Sequence, residues 1–200
     1  MTRHHGDRLV QRGMALAWLI VVWDVIEGAV AISAGIAANS IALIGFGIDS
    51  AIEVFAAGVV IWQLRGGSRA RQRPALKLIA ATFYLLAAYV AFESISDLIA
   101  QNKAGESLIG IILNIVALAV MVPTAIAQRH TGRALGNPVL TAQSTETWMS
   151  NALSISVLAG LGLNTFLGWW WADPIAALVV AALAAYSGWE SWHEANETTE

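Results

Sequence analysis

The chain has 200 residues, of which 57 % are hydrophobic and only 12 % are charged, about half the charged share of a typical soluble domain. A soluble fold of this size cannot bury so much apolar surface, whereas lipid tails can cover it. The chain contains no cysteine, which excludes disulfides, thiolate metal sites and thiol catalysis. The composition therefore predicts one membrane domain with no second folded unit.

Six apolar segments are long enough to cross a bilayer, since a spanning helix needs about 20 apolar residues. They cover residues 14–38, 41–63, 75–100, 108–127, 140–167 and 173–192. We therefore predict an all-α integral membrane protein, a six-transmembrane-helix bundle over residues 14–193. A basic tail at 1–13 precedes the bundle, and a short, frayed acidic tail at 194–200 follows it. The first apolar run is longer than that of a signal peptide, so it is expected to stay as a helix.

The connections between the spans are short, and every second connection is rich in basic residues. The segments 65–74 and 129–138 are rich in arginine, whereas 38–40, 101–107 and 168–174 are not. Ten of the eleven Lys and Arg residues fall on the side of the two termini, and only Lys103 falls on the other. Because cytoplasmic loops are enriched in Lys and Arg, both termini are predicted to be cytoplasmic. The predicted location is the cell membrane, as a multi-pass protein of a bacterial inner membrane.

Seven carboxylates lie within the predicted spans, where each costs about 2.5–3.5 kcal/mol at the centre of a helix. They are Asp24, Glu27, Asp49, Glu53, Glu93, Asp97 and Glu146. The only basic residue at a span edge is Lys77, so ion pairing cannot neutralise the acids. They must be protonated, hydrated or bound to a cation.

The spacing of these acids indicates which cations suit them. Six of the seven form pairs three or four residues apart, so each pair shares one helix face. Two ionised carboxylates on one face repel each other, and either protons or a divalent cation relieve that repulsion. The same groups can therefore exchange protons for a metal ion.

Structural roles stay open for some acids: Glu93 and Asp97 can be solvated, Asp173 can cap the sixth helix, and Asp24, Glu27 and Glu146 can hydrogen-bond to neighbouring helices.

Two segments resemble the cation diffusion facilitator family of divalent-metal/proton antiporters. Residues 39–54 open with a Ser-x-Ala-Leu pattern and continue to Asp49 and Glu53, which match two metal-binding positions four residues apart. Residues 171–178 read Trp-Ala-Asp-Pro-Ile-Ala-Ala-Leu, and residues 188–190 read Gly-Trp-Glu, similar to the start and finish of the last span of the family. The resemblance covers roughly residues 14–193 and implies six spans, cytoplasmic termini and a homodimer.

The fifth span departs from the family pattern. The family supplies two further ligands there, a His or Asp and then an Asp four residues later. The resemblance places Thr147 and Asn151 in those positions, and neither carries a charge. Glu146 and Glu27 can compensate, with Asp24 and Glu27 as supporting or proton-relay groups. The chain ends just after the sixth span, so it resembles a short form of the family without the cytoplasmic C-terminal metal-sensing domain.

The predicted function is divalent metal efflux, with protons as the exchanged ion and the lipid bilayer as the setting. An all-oxygen site suits hard ions such as Mn²⁺ or Mg²⁺, and zinc also accepts carboxylates. The transported ion is left open among Zn, Mn, Fe, Co and Cd, and no tightly bound cofactor is predicted.

Two other functions are compatible with parts of the sequence. A proton-coupled organic-cation exporter would also need buried carboxylates, and a non-transporting membrane subunit would tolerate the uncharged positions in span five. An enzyme is not predicted, because the segment 45–49 has one residue too many for the Gly-x-Gly-Asp motif of intramembrane aspartyl proteases. Nucleic-acid binding is not predicted either, because topology accounts for the few basic residues.

Overall fold

The structure is a computed structural model that describes residues 2–38, 41–66, 69–101 and 108–197. Within these ranges the chain forms six long α-helices and a short 3-10 turn at Arg69–Arg71. The helices are α1 (Thr2–Ala38), α2 (Ile41–Arg65), α3 (Gln72–Ala100), α4 (Leu108–Leu135), α5 (Pro138–Leu167) and α6 (Ala172–Glu197). All six are long and apolar enough to cross a membrane. The predicted all-α, six-span membrane bundle is therefore confirmed.

Two of the predicted connections cannot be compared with the structure. Most of the turn at 38–40 and of the polar turn at 101–107 lies outside the described residues.

The helices extend further than the apolar segments that predicted them. The segment 129–138 was expected to be a loop, but α4 continues to Leu135, so Arg129 and Arg133 lie on its last turns. A helix satisfies its own backbone hydrogen bonds in water as well as in lipid, so it need not end where the apolar residues end. It ends at Gly136, which adopts a left-handed φ of 58°, a conformation that glycine takes without a steric penalty.

The turn after α4 leads directly into α5. The side chain of Asn137 accepts a hydrogen bond from the backbone N–H of Leu140 and so caps α5, with Pro138 in the first turn. Asn137 also donates to the Gln63 side chain on α2, with an N–O distance of 2.9 Å. This two-residue connection therefore fixes α4, α5 and the end of α2 together.

The two predicted tails are also largely helical. Helix α1 begins at Thr2 and α6 continues to Glu197, so the expected fraying of the acidic tail is wrong for residues 194–197. At about 1.5 Å per residue, the 37 residues of α1 exceed the roughly 30 Å of a hydrocarbon core. The polar first turns of α1 can therefore lie beyond the lipid tails.

The bundle is built from three antiparallel helix pairs, in which α1 packs along α2, α3 along α6 and α4 along α5. Its buried centre is apolar and is formed by side chains such as Ile79, Phe83 and Leu86 of α3 and Leu140 of α5. We call the end of the bundle that carries Arg65, Arg71, Arg129 and Arg133 the basic end.

Glycine lets α1 and α2 approach each other closely. A methyl group on Gly47 would collide with Ile32 and lie 3.2 Å from the carbonyl oxygen of Gly28. A methyl group on Gly28 would lie 3.3 Å from Cβ of Ser50. Small residues let membrane helices approach each other closely, and Gly28 and Gly47 do so here. Their contact brings Glu27 of α1 beside the acidic face of α2.

Replacing Gly47 by Ala tests this contact. We expect Gly47→Ala to lower the free energy of unfolding by about 1–3 kcal/mol through overpacking, measured by thermal unfolding in detergent with tryptophan fluorescence. Gly58→Ala on the same helix is the matched control, because nothing lies within 4 Å of its added methyl group. Equal melting temperatures for the two variants would contradict the close approach of α1 and α2.

Candidate cation site

Asp49 and Glu53 line a small cavity between α2, α1 and α5. The cavity has a volume of about 20 Å³ and is also lined by Glu27 of α1 and by Ser150 and Asn151 of α5. The four-residue spacing of Asp49 and Glu53 places both carboxylates on the face of α2 that meets these helices. A cavity needs roughly 10–15 Å³ to hold one water molecule, so this one has room for a single water or ion.

The carboxylates of the cavity are only partly hydrogen-bonded. The Ser150 hydroxyl donates to Oδ2 of Asp49 over 3.1 Å. Oδ1 of Asp49, Oε1 of Glu53 and Oε1 of Glu27 are buried and have no hydrogen-bond partner. Nδ2 of Asn151 also has no partner. The site therefore presents several unsatisfied polar atoms around a space for one ion.

Asp24 adds a further carboxylate beside this cavity. It lies one helical turn before Glu27, its side chain is only 1 % exposed, and neither of its oxygens has a hydrogen-bond partner. Its carboxyl group approaches that of Glu53. Two carboxyl groups this close can share a proton, because their mutual repulsion disfavours ionisation of both.

No positive side chain compensates these acids in the part of the chain that the structure describes. No Lys, Arg or His lines the cavity. Lys77 is directed elsewhere, with its Nζ atom 5.0 Å from the ring centroid of Trp192. Among the described residues, no three His, Asp or Glu side chains are placed so that they could hold a metal ion together. A cation bound here would therefore need neutral oxygen donors in addition to Asp49 and Glu53.

Two predicted site residues lie outside the cavity. Glu146 is 1 % exposed and approaches Thr82 of α3, and both of its oxygens lack a hydrogen-bond partner. The Thr147 hydroxyl donates to the backbone oxygen of Gln143 over 3.2 Å. Of the seven residues predicted from the sequence, four line the cavity, Asp24 adjoins Glu53, and Glu146 and Thr147 do not line it.

Sequence reasoning missed the serine residues of the site. Ser150 binds Asp49, and Ser50 and Ser154 line the same cavity. Ser150 is adjacent to Asn151 and follows Glu146 by four residues, a spacing that could have drawn attention to it. Serine is common in membrane helices for packing reasons, however, so the signal was weak.

In the part of the chain that the structure describes, six helices able to span a membrane enclose carboxylates that have no cationic partner, an arrangement suited to a membrane protein that carries cations. The comparison with family models gives the same result: residues 75–195 match the cation efflux transmembrane domain. This match covers more than half of the chain, and the protein belongs to the cation efflux family of cation transporters, also called cation diffusion facilitators. A search of curated proteins finds no match. The matched segment begins after α2, so Asp49 and Glu53 rest on the geometry and on the motif resemblance.

The position of Glu146 outside the cavity leads to a prediction. Glu53→Gln should weaken divalent-cation binding to the purified protein by at least about 100-fold, because it removes one of only two carboxylates on the cavity face of α2. Glu146→Gln removes a charge that does not line the cavity and makes no hydrogen bond to a cavity residue, so its effect should be below about 10-fold, less than the roughly 10–100-fold typical of groups that support metal ligands. Isothermal titration calorimetry of both variants measures the difference. Equal losses would show that Glu146 binds the cation directly.

Proposed function

We propose that this cation transporter exports divalent metal ions in exchange for protons, through a site formed by Asp49 and Glu53. The observation that carries the proposal is the set of seven buried carboxylate oxygens without hydrogen-bond partners. They belong to Asp24, Glu27, Asp49, Glu53 and Glu146. Each unsatisfied buried polar group costs about 1–3 kcal/mol. Ionisable residues inside a membrane typically mark ion or proton pathways, and a bound cation or proton would satisfy these oxygens.

The size of the site favours a metal ion over an organic cation. The cavity at Asp49 and Glu53 has about 20 Å³, whereas sites for drug-sized molecules have roughly 300–1,000 Å³. Two carboxylates supply the charge that neutralises a divalent cation, and Ser150, Asn151 and Glu27 supply further oxygens. The proposed ion is one of Zn²⁺, Mn²⁺, Fe²⁺, Co²⁺ or Cd²⁺, because carboxylate and neutral oxygen ligands accept all of them.

Proton exchange follows from the same carboxylates. When the metal leaves, Asp49 and Glu53 are buried anions side by side, and protonation removes both the repulsion and the cost of burial. Metal binding in turn requires deprotonated ligands and releases protons. Asp24, next to Glu53, can hold a further proton. Bound metal and bound protons are therefore alternative states of one site.

A second cavity connects the site with the end of the bundle opposite the basic end. It has a volume of about 170 Å³, and Asp49 lines it as well as the small cavity. We call it the vestibule and define it by Asp49, Glu93, Asp97, Asn114 and Asp173. With the basic end in the cytoplasm, as the Lys and Arg distribution predicts, the vestibule is the outer exit of the metal.

Toward the basic end, buried side-chain amides separate the site from solution. Gln128 donates to Gln143 over 2.9 Å, and Asn137 donates to Gln63 over 2.9 Å. We propose that these hydrogen bonds close the inner side in this conformation and break when the transporter opens inward. The homodimer that the family resemblance implies stays a prediction, as does the bacterial inner membrane.

Proton flux in proteoliposomes tests the proposed exchange. We expect external Zn²⁺, Mn²⁺, Fe²⁺, Co²⁺ or Cd²⁺ to change the internal pH of vesicles that hold the protein and a pH-sensitive dye. The Asp49→Asn/Glu53→Gln double variant should lose at least about 90 % of this signal, because both charges that hold the ion are gone. Glu190→Gln is the matched control, since it neutralises an exposed carboxylate near the end of α6.

The outcomes separate the candidate functions. A pH change with one of these metals that disappears in the double variant and persists in Glu190→Gln supports metal/proton antiport. A pH change that follows organic cations but no metal would replace the proposal with organic-cation export. Full activity of the double variant would show that Asp49 and Glu53 do not form the transport site.

A further inference from the structure

We infer that the vestibule holds a second cation site, at which Asn114, Glu93 and Asp97 bind a hydrated divalent ion between the Asp49 site and the outer exit. The inference rests on the proposed function only in taking this exit as the outer side of the membrane. The binding site itself rests on the side chains that converge in the vestibule from α2, α3, α4 and α6.

Asn114 provides the evidence that the vestibule binds a ligand. Its side chain lines the vestibule and is 5 % exposed. Nδ2 donates to the backbone oxygen of Gly110 over 2.9 Å, which fixes the orientation of the amide, because the opposite orientation would place two oxygens together. Oδ1 is buried and has no hydrogen-bond partner. An unpaired amide oxygen held in this way in an apolar helix can coordinate a cation or accept a hydrogen bond from one of its water molecules.

Two carboxylates of α3 line the same cavity as this oxygen. Glu93 and Asp97 are four residues apart and share a helix face, and both line the vestibule. At about 1.5 Å per residue, Glu93 and Asn114 both lie roughly 9–11 Å from the nearest ends of their helices. They are therefore at similar depth, and so is Asp49, about 12 Å from the start of α2.

The surrounding residues keep Glu93 in place. Gly45 of α2 leaves the space that the Tyr89 hydroxyl occupies, and a methyl group there would collide with that hydroxyl and lie 3.0 Å from Oε1 of Glu93. Tyr89 also lies within hydrogen-bonding reach of Glu93. On the other side, the Ser156 hydroxyl donates to Oδ1 of Asp173 over 2.6 Å. Asp173 therefore joins α6 to α5 in the first turn of α6, where it adds negative charge to the vestibule.

The dimensions of the vestibule indicate a hydrated ion. No three acidic side chains in the described part of the chain are placed to hold a bare metal. The cavity of about 170 Å³ is more than ten times the roughly 10–15 Å³ that one water needs, so it has room for a cation together with several of its waters. Such binding is weaker than at Asp49 and Glu53 and allows the ion to leave.

Mn²⁺ binding to the purified, full-length protein in detergent tests the second site. Electron paramagnetic resonance counts the bound Mn²⁺, and we expect one tight and one weak ion per chain. Glu53→Gln should remove the tight ion alone, because Glu53 lines only the small cavity. Asn114→Leu should remove the weak ion. Asn114→Asp should strengthen weak binding by at least about 5-fold, because it adds a carboxylate to the site.

Asn164→Leu is the matched control, since Asn164 also lies near the end of an α-helix but lines none of the cavities described. If Asn114→Leu does not fold, Asn114→Asp and Asn114→Gln decide the question, because a merely structural role gives no gain in Mn²⁺ affinity. A single ion that Glu53→Gln abolishes would overturn the second site. Two ions unaffected by every Asn114 variant would also overturn it. If the wild-type protein binds only the weak ion, and the Asn114 variants change that binding, the result would contradict the Asp49 site instead.

Discussion

The structure depends on one electrostatic constraint: carboxylates are buried in a membrane bundle and, among the residues that the structure describes, they have no basic partners. Asp24, Glu27, Asp49 and Glu53 come from two adjacent helices, and no Lys, Arg or His lines their cavity among the described residues. In a low-dielectric interior, isolated negative charges are very costly, so the resting protein must fill these positions with protons or cations. Because the folded protein keeps these carboxylates buried, they retain an affinity for cations. This agrees with the membership of the chain in the cation efflux family.

The groups that surround these carboxylates in the described part of the chain are neutral and do not compensate their negative charge. The glycine contact between α1 and α2 brings Glu27 to the acidic face of α2 without adding a basic group. Helix α5 contributes Ser150 and Asn151, which are neutral and can orient or bind but cannot compensate a charge. The amide pairs between Gln128 and Gln143 and between Asn137 and Gln63 are likewise neutral. Among the described residues, the charge of these carboxylates is therefore neutralised only by bound protons or cations.

The sequence predicted the six helices and the acidic pair of α2, because hydropathy and the four-residue spacing are local signals. It did not predict that α4 reaches Leu135, because helix ends in water carry no hydropathy signal. It also did not separate Asn151, which faces the cavity, from Glu146 and Thr147, which do not. That distinction depends on the rotation of α5 against its neighbours. Asn114 passed unnoticed because only its tertiary surroundings show that its oxygen is unpaired.

Proton release on metal binding tests the central claim most directly, because it asks whether one set of carboxylates holds both ions. The purified protein in weakly buffered detergent solution would be titrated with Mn²⁺ or Zn²⁺ while a pH-sensitive dye follows the protons released. We expect protons to be released in step with metal binding, and we expect Asp49→Asn/Glu53→Gln to abolish both signals. Saturable metal binding at Asp49 and Glu53 without any proton release would contradict it.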